Sequence, residues 1–148
     1  MWHTVSYDRS IGLVPLVKRA LGKNNADNFN TDITQARFPL KGTDVRKVKA
    51  RVEAYLDGET REQGAKRLAD AGHIIGSTGD LAGFLHDHPD EVAKWGWVDA
   101  LSEDSRWTDS GGNVGVPCAY VDGADRDFLL FVFRDQMYSD YGVLVLGE

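Results

Sequence analysis

Residues 114–146 read VGVPCAYVDGADRDFLLFVFRDQMYSDYGVLVL, and the reading of this stretch decides the fold. Three apolar runs, 114–121, 127–134 and 141–146, are separated by polar breaks. Asp122-Gly123 is a hairpin turn signal, and Asp135 to Asp140 is a polar loop. The spacing predicts a three-stranded antiparallel meander. In its middle run Phe128, Leu130 and Val132 alternate with Leu129, Phe131 and Phe133, so both sets are apolar. Such a strand is expected to be buried on both faces, or covered on one by helices.

Upstream, the pattern changes period. Thr60 and Gln63 form a capping-box pair, and Gly72 stops the helix expected over 60–71. A second helix is expected over 78–87. It starts at Ser77 or Thr78, carries Leu81, Phe84 and Leu85, and is broken by His88-Pro89. Pro89 suits the first turn of a further short helix. Leu13, Val14, Val17 and Leu21 share one face of a helix over 11–21, with Ser10 as its expected cap. Residues 2–7 read as a strand or an extended arm, 32–38 as extended up to Pro39, and 98–101 as a short strand.

Residues 45–56 fit two periods. Val45, Val48, Val52 and Tyr55 match a helical stripe. Val48, Ala50, Val52, Ala54 and Leu56 alternate without a break against Lys47, Lys49, Arg51, Glu53 and Tyr55. Ten residues of alternation favour a strand with an apolar face and a mostly basic face. The sum is an α+β fold: a C-terminal antiparallel β-meander packed against two or three short helices. The 60–71 and 78–87 helices are expected on one side of it.

Composition sets the outer bounds. The chain has 148 residues and 42% hydrophobic content, which suits one domain with a packed core. A lone cysteine, Cys118, excludes an internal disulfide and a multi-cysteine zinc site, as suits a reducing cytoplasm. The beginning, Met1-Trp2-His3-Thr4-Val5, lacks the basic region and apolar run of a secretion signal. No apolar run reaches membrane-spanning length. Charge is divided unevenly. Residues 1–74 carry a net of +4 and residues 75–148 a net of −10. The overall −6 argues against undirected nucleic-acid affinity.

Several phrases resemble, as a set, a group of uncharacterised bacterial conserved hypothetical proteins. They are Tyr7-Asp8-Arg9-Ser10, Asp32-Ile33-Thr34-Gln35 with Phe38-Pro39, the alternating strand, and His88-Pro89. Ala100-Leu101, then Trp107 with Asp109 and Gly112, Val116-Pro117 and a final apolar strand complete the set. In that group the segment corresponding to Ala100-Leu101 usually runs straight into a Gly-Ser pair. Here Ser102-Glu103-Asp104 follows, an acidic insertion at the turn. The resemblance implies the strand reading of residues 45–56 and carries no activity.

No reaction motif stands out. His86-Asp87-His88 with Asp90 supplies metal-ligand chemistry, but residues two apart leave opposite sides of a helix and there is no i,i+4 pair. No metal and no cofactor are therefore expected. Cys118 sits mid-strand, away from anything that lowers a thiol pKa. Gly76-Ser77-Thr78-Gly79-Asp80 lacks the lysine of a phosphate loop and reads as a helix cap. Lys47, Lys49 and Arg51, with Arg46 beside them, form a basic strand able to meet phosphates.

Trp95, Trp97 and Trp107 flank the acidic turn. Acidic residues beside Trp suit a basic protein partner. Trp107, Glu103, Asp104 and Asp109 are the binding residues expected from sequence. The expected function is a small protein-binding module of inhibitor or immunity type. Two alternatives are a hydrolase built around His86 and His88, and a nucleic-acid accessory using residues 46–51.

Overall fold

The computed structural model of the chain describes residues 1–147. Its strands, in chain order, are β1 (His3–Asp8), β2 (Val45–Ala54), β3 (Ile74–Ile75), β4 (Val98–Asp99), β5 (Trp107–Thr108), β6 (Val114–Asp122), β7 (Asp125–Val132) and β8 (Gly142–Gly147). Its α-helices are α1 (Leu13–Leu21), α2 (Arg61–Asp70), α3 (Thr78–Asp87) and α4 (Pro89–Val92). All strands belong to one mixed sheet, ordered β1-β2-β8-β4-β6-β5, with β7 on β6 and β3 on β8. The mixed helix-and-sheet class expected from the sequence is the one found.

The meander is only partly present. β6 and β7 form the expected hairpin, with Asp122 opposite Asp125 across Gly123. β8 does not continue onto β7. It inserts between β2, antiparallel, and β4, parallel. The reason is its side chains. Val143, Leu144, Val145 and Leu146 are apolar on both faces, and only a central strand buries both. β7 instead lies at an edge, with Leu129, Leu130 and Phe131 half-buried and Val132 exposed. Of the two expectations for this run, full burial of both faces does not hold, whereas cover of one face by helices does, since Phe128 and Leu130 pack in the core that holds α1 and α3. The open edge of β7 is met by Asn28 and Asn30, whose backbone bonds Phe128 twice at 3.0 Å.

The helices are also divided. Leu144 and Leu146 join the core cluster that holds α1 and α3. Val143 and Val145 join the cluster that holds Ala65 and Leu68 of α2. Alternate residues of one strand face opposite sides, so α2 and α3 cover opposite faces. The single helical layer expected from the sequence is a layer on each side. Gly64 lets α2 settle here, since a Cβ would stand 2.8 Å from the Tyr55 ring.

Local signals hold where they are chemical. Thr60 and Gln63 complete a capping box on α2, and Ser77 with Asp80 completes another on α3. Pro89 opens α4, and Gly72 takes a φ of 93° beyond α2. Ser10 does not cap α1. Asp8 accepts from Ser10 in a short 3-10 turn, and Gly12 precedes the helix. Residues 32–38 are turns rather than an extended run. Among the described residues, no helix is long and apolar enough to cross a membrane.

A buried ionic group locks the α2 side. Asp99 of β4 is fully buried and accepts from the Tyr55 hydroxyl and from Arg61 Nε at 2.7 Å. Arg61 also donates to the Val132 carbonyl at 3.0 Å. Burial, and then Asp99, push the Tyr55 phenol well above its ordinary range. Asp99→Ala leaves the Arg61 cation buried and unpaired. Urea unfolding should show a loss of about 3–5 kcal/mol. Replacing Asp99 and Arg61 together by apolar residues should cost less than the sum of the single changes.

Glu59 accepts two bonds from Arg67, at 2.8 and 3.0 Å, which hold its carboxyl below the ordinary 4.5. A lowered folded-state pKa contributes stability above 4.5 that is lost as pH falls through the folded value. The urea midpoint should therefore drop on acidification, and less steeply in Glu59→Gln.

Candidate functional site

Alternation along the β6–β7 hairpin builds a surface beside α2. Val116 and Cys118 lie on the α2 side, so Tyr120 and Asp122 do too. On β7, Phe131 and Phe133 lie there, and with them Asp125, Asp127 and Leu129. Asp127 stands opposite Tyr120, and Asp125 opposite Asp122. Three carboxylates thus share one end of one sheet face. Among the described residues, none of the three pairs with a cation.

Aromatic rings continue this face. Trp97 stacks on Tyr120 at 4.9 Å and meets Phe131 edge-on at 4.7 Å. All three are half-buried, so each keeps solvent-facing area. Two loops hold the end of the surface. The Gly142 N–H donates to the Trp97 carbonyl and the Gly96 N–H to the Asp140 carbonyl. Gly96 is required, because a Cβ would stand 2.0 Å from the Tyr141 ring. Tyr138 lies edge-on to Tyr141 and, like Leu56, is 57% exposed. Asp57 accepts from the Ser139 N–H at 2.8 Å and ties these two tips together.

The binding residues expected from sequence are dispersed. Trp107 of β5 is half-buried against the α1–α3 core, with the Arg37 guanidinium 4.2 Å over its ring. Asp109 closes its own turn, accepting from Gly111 at 2.9 Å and Asn113 at 3.0 Å. Glu103 is exposed, and Asp104 pairs with Lys41 at 3.5 Å. Glu103 and Asp104 line a groove of about 560 Å3 beside α2, with Glu62, Lys66, Asp70 and Arg106. Trp107 packs with the other core cluster, so the structure does not join it to this groove.

Other candidates separate as well. Trp95 enters the α1–α3 core while Trp97 joins the α2 side, diverging across Gly96. His86 contacts Asp87 at 2.9 Å, whereas His88 reaches the Thr4 carbonyl at 2.6 Å and lies 5.0 Å from His3. Asp87 Oδ2 accepts from the Ser6 N–H, so this helix end caps the open edge of β1. No cluster of three His, Cys, Asp or Glu suited to a metal occurs among the described residues. Cys118 is buried, and burial and then Asp99 push its thiol well up. On β2, Lys47, Lys49 and Arg51 face one way, but Arg46 points to the helices at Asp80.

The acidic aromatic face was not named from sequence. Its signal is the set of alternate residues Tyr120, Asp122, Asp125 and Asp127 across a two-residue turn, which a register alone turns into one surface. Compared with family models, with curated proteins and with solved structures, the chain matches none. Asp109→Ala should release the Gly111 and Asn113 amides. Their hydrogen exchange should speed up while exchange across β6 stays unchanged.

Proposed function

We propose that this protein is a non-enzymatic binding module whose acidic aromatic face receives a basic protein partner. The observation that carries this reading is the joint placement of Asp122, Asp125 and Asp127 beside the half-buried Trp97–Tyr120 stack. Half-buried Trp and Tyr supply contact area at low entropic cost, and unpaired carboxylates raise the encounter rate with a cationic surface. An inhibitor or immunity-type role fits this chemistry, since a row of carboxylates imitates the charge of a phosphate backbone. Of the acidic residues expected from sequence, Asp104 is countered by Lys41 and Asp109 is occupied in its own turn, so this reading does not rest on them. Trp97 takes the anchoring part that the sequence assigned to Trp107.

The test uses the partner recovered by affinity capture from the native host, with rates measured at two salt concentrations. Association should slow as salt rises, because ions screen charge over about 8–10 Å. Changing Asp122, Asp125 and Asp127 together to Asn should slow association and flatten its salt dependence. Trp97→Ala should speed dissociation. The triple change Glu103→Gln, Asp104→Asn, Asp109→Asn should leave both rates near wild type. A salt-independent association rate, unchanged in the first triple variant, would overturn the reading.

A further inference from the structure

Arg46 occupies an even position of β2, so it leaves the sheet on the α3 side, away from Lys47, Lys49 and Arg51. Its Nε donates to Asp80 Oδ1 at 2.9 Å. The Tyr7 hydroxyl donates to the same oxygen at 2.7 Å. Asp80 Oδ2 accepts from the Ser77 N–H at 3.0 Å and the Ser77 hydroxyl at 2.9 Å. Asp80 is buried, and these four bonds occupy both of its oxygens. The guanidinium is therefore held by its Nε edge. Its two terminal amino groups have no protein acceptor among the described residues.

The Arg46 side chain lines a cavity of about 190 Å3. Pro39, Leu40, Ile74 and Leu146 provide apolar wall. The loop that carries Leu40 is built in place rather than loosely draped. Arg9 donates to the Lys41 carbonyl, and to both the carbonyl and the carboxylate of Asp44. Gly42 takes a φ of 96° to pass over that guanidinium, where a Cβ would stand 2.6 Å away. Lys41 extends into solvent at the rim, 82% exposed, and lies 3.5 Å from Asp104. Both acids on the wall are thus already countered, Asp80 by Arg46 and Asp104 by Lys41. Arg9 is the remaining cation near the cavity, and Asp44 engages it.

We propose that this cavity binds a small organic carboxylate, with the anion on the two free amino groups of Arg46 and the apolar body against Leu40, Ile74 and Leu146. An arginine held from behind by a buried acid is preorganised for a bidentate carboxylate, because the fork loses little freedom on binding. The volume, below the roughly 300 Å3 of drug-sized sites, restricts the ligand to a few heavy atoms beyond the carboxylate. The site is independent of the acidic aromatic face and stands or falls separately.

The probes are isobutyrate, benzoate and the corresponding uncharged amides, titrated into the whole chain and followed by amide chemical shifts. The carboxylates should move the signals of Leu40, Arg46, Ile75 and Ser77 saturably, and the amides should not. Arg46→Lys keeps the charge but loses the fork, and should weaken binding about tenfold, as for one charge-assisted hydrogen bond. Tyr7→Phe should weaken it less, by loosening the hold of Asp80. Lys47→Gln, on the opposite side of the sheet, should leave it unchanged. Three results would each overturn the proposal: no saturable shift at this site in the wild type, equal shifts from acids and amides, or full affinity in a folded Arg46→Lys.

Discussion

The buried carboxylate of Asp99 is the constraint on which the α2 side of this protein depends. It sits on a two-residue strand between β8 and β6, where water cannot reach it. A charge in that position must be paired, and its partners come from two distant segments. Tyr55 arrives from the end of β2 and Arg61 from the first turn of α2. Those two bonds fix α2 over β8 and β6. Arg61 then reaches the Val132 carbonyl and fastens the end of β7 as well. The edge hairpin and the helix are thereby held to one frame, and the acidic aromatic face takes its shape from that frame.

A second buried carboxylate organises the other side. Asp80 caps α3 and receives Tyr7 from β1 and Arg46 from β2. Asp99 lies on a strand and Asp80 on a helix, but both take one tyrosine and one arginine from segments far from themselves in sequence. Their surroundings differ. The Asp99 group is sealed, so Arg61 has little beyond structure to contribute. The Asp80 group opens on a cavity, which leaves part of Arg46 free. The same pairing chemistry thus closes one side of the sheet and leaves a receptive fork on the other.

Charge follows the same geometry. The uneven division along the chain becomes a division across one sheet face. Lys47 and Lys49 lie at the β1–β2 end, and Asp122, Asp125 and Asp127 at the β6–β7 end. α2 lies between them. The two halves neutralise one another at Arg46–Asp80, Arg61–Asp99 and Lys41–Asp104, while Asp122, Asp125 and Asp127 stand apart from those pairs. Edge protection is compatible with this. β1 is capped by Asp87 and His88 and β7 by residues 28–30, so contacts at these ends run through side chains rather than added strands.

The sequence by itself determined what local chemistry dictates. The capping pair Thr60–Gln63, the helix start at Ser77 or Thr78, the further start at Pro89, the hairpin at Asp122-Gly123 and the strand expected over 45–56, found over Val45–Ala54, all rest on neighbours within a few residues. The charge division was equally legible. Only the tertiary structure decided where β8 goes, because burying four consecutive apolar residues requires neighbours on both sides, and those come from 45–54, 74–75 and 98–99. That insertion sent α2 and α3 to opposite faces and placed Trp97, rather than Trp107, among free carboxylates. It also turned Arg46 away from the lysines beside it in sequence. A strand's period shows which residues share a face, but which face meets a helix, a cavity or water is set by contacts between segments distant along the chain.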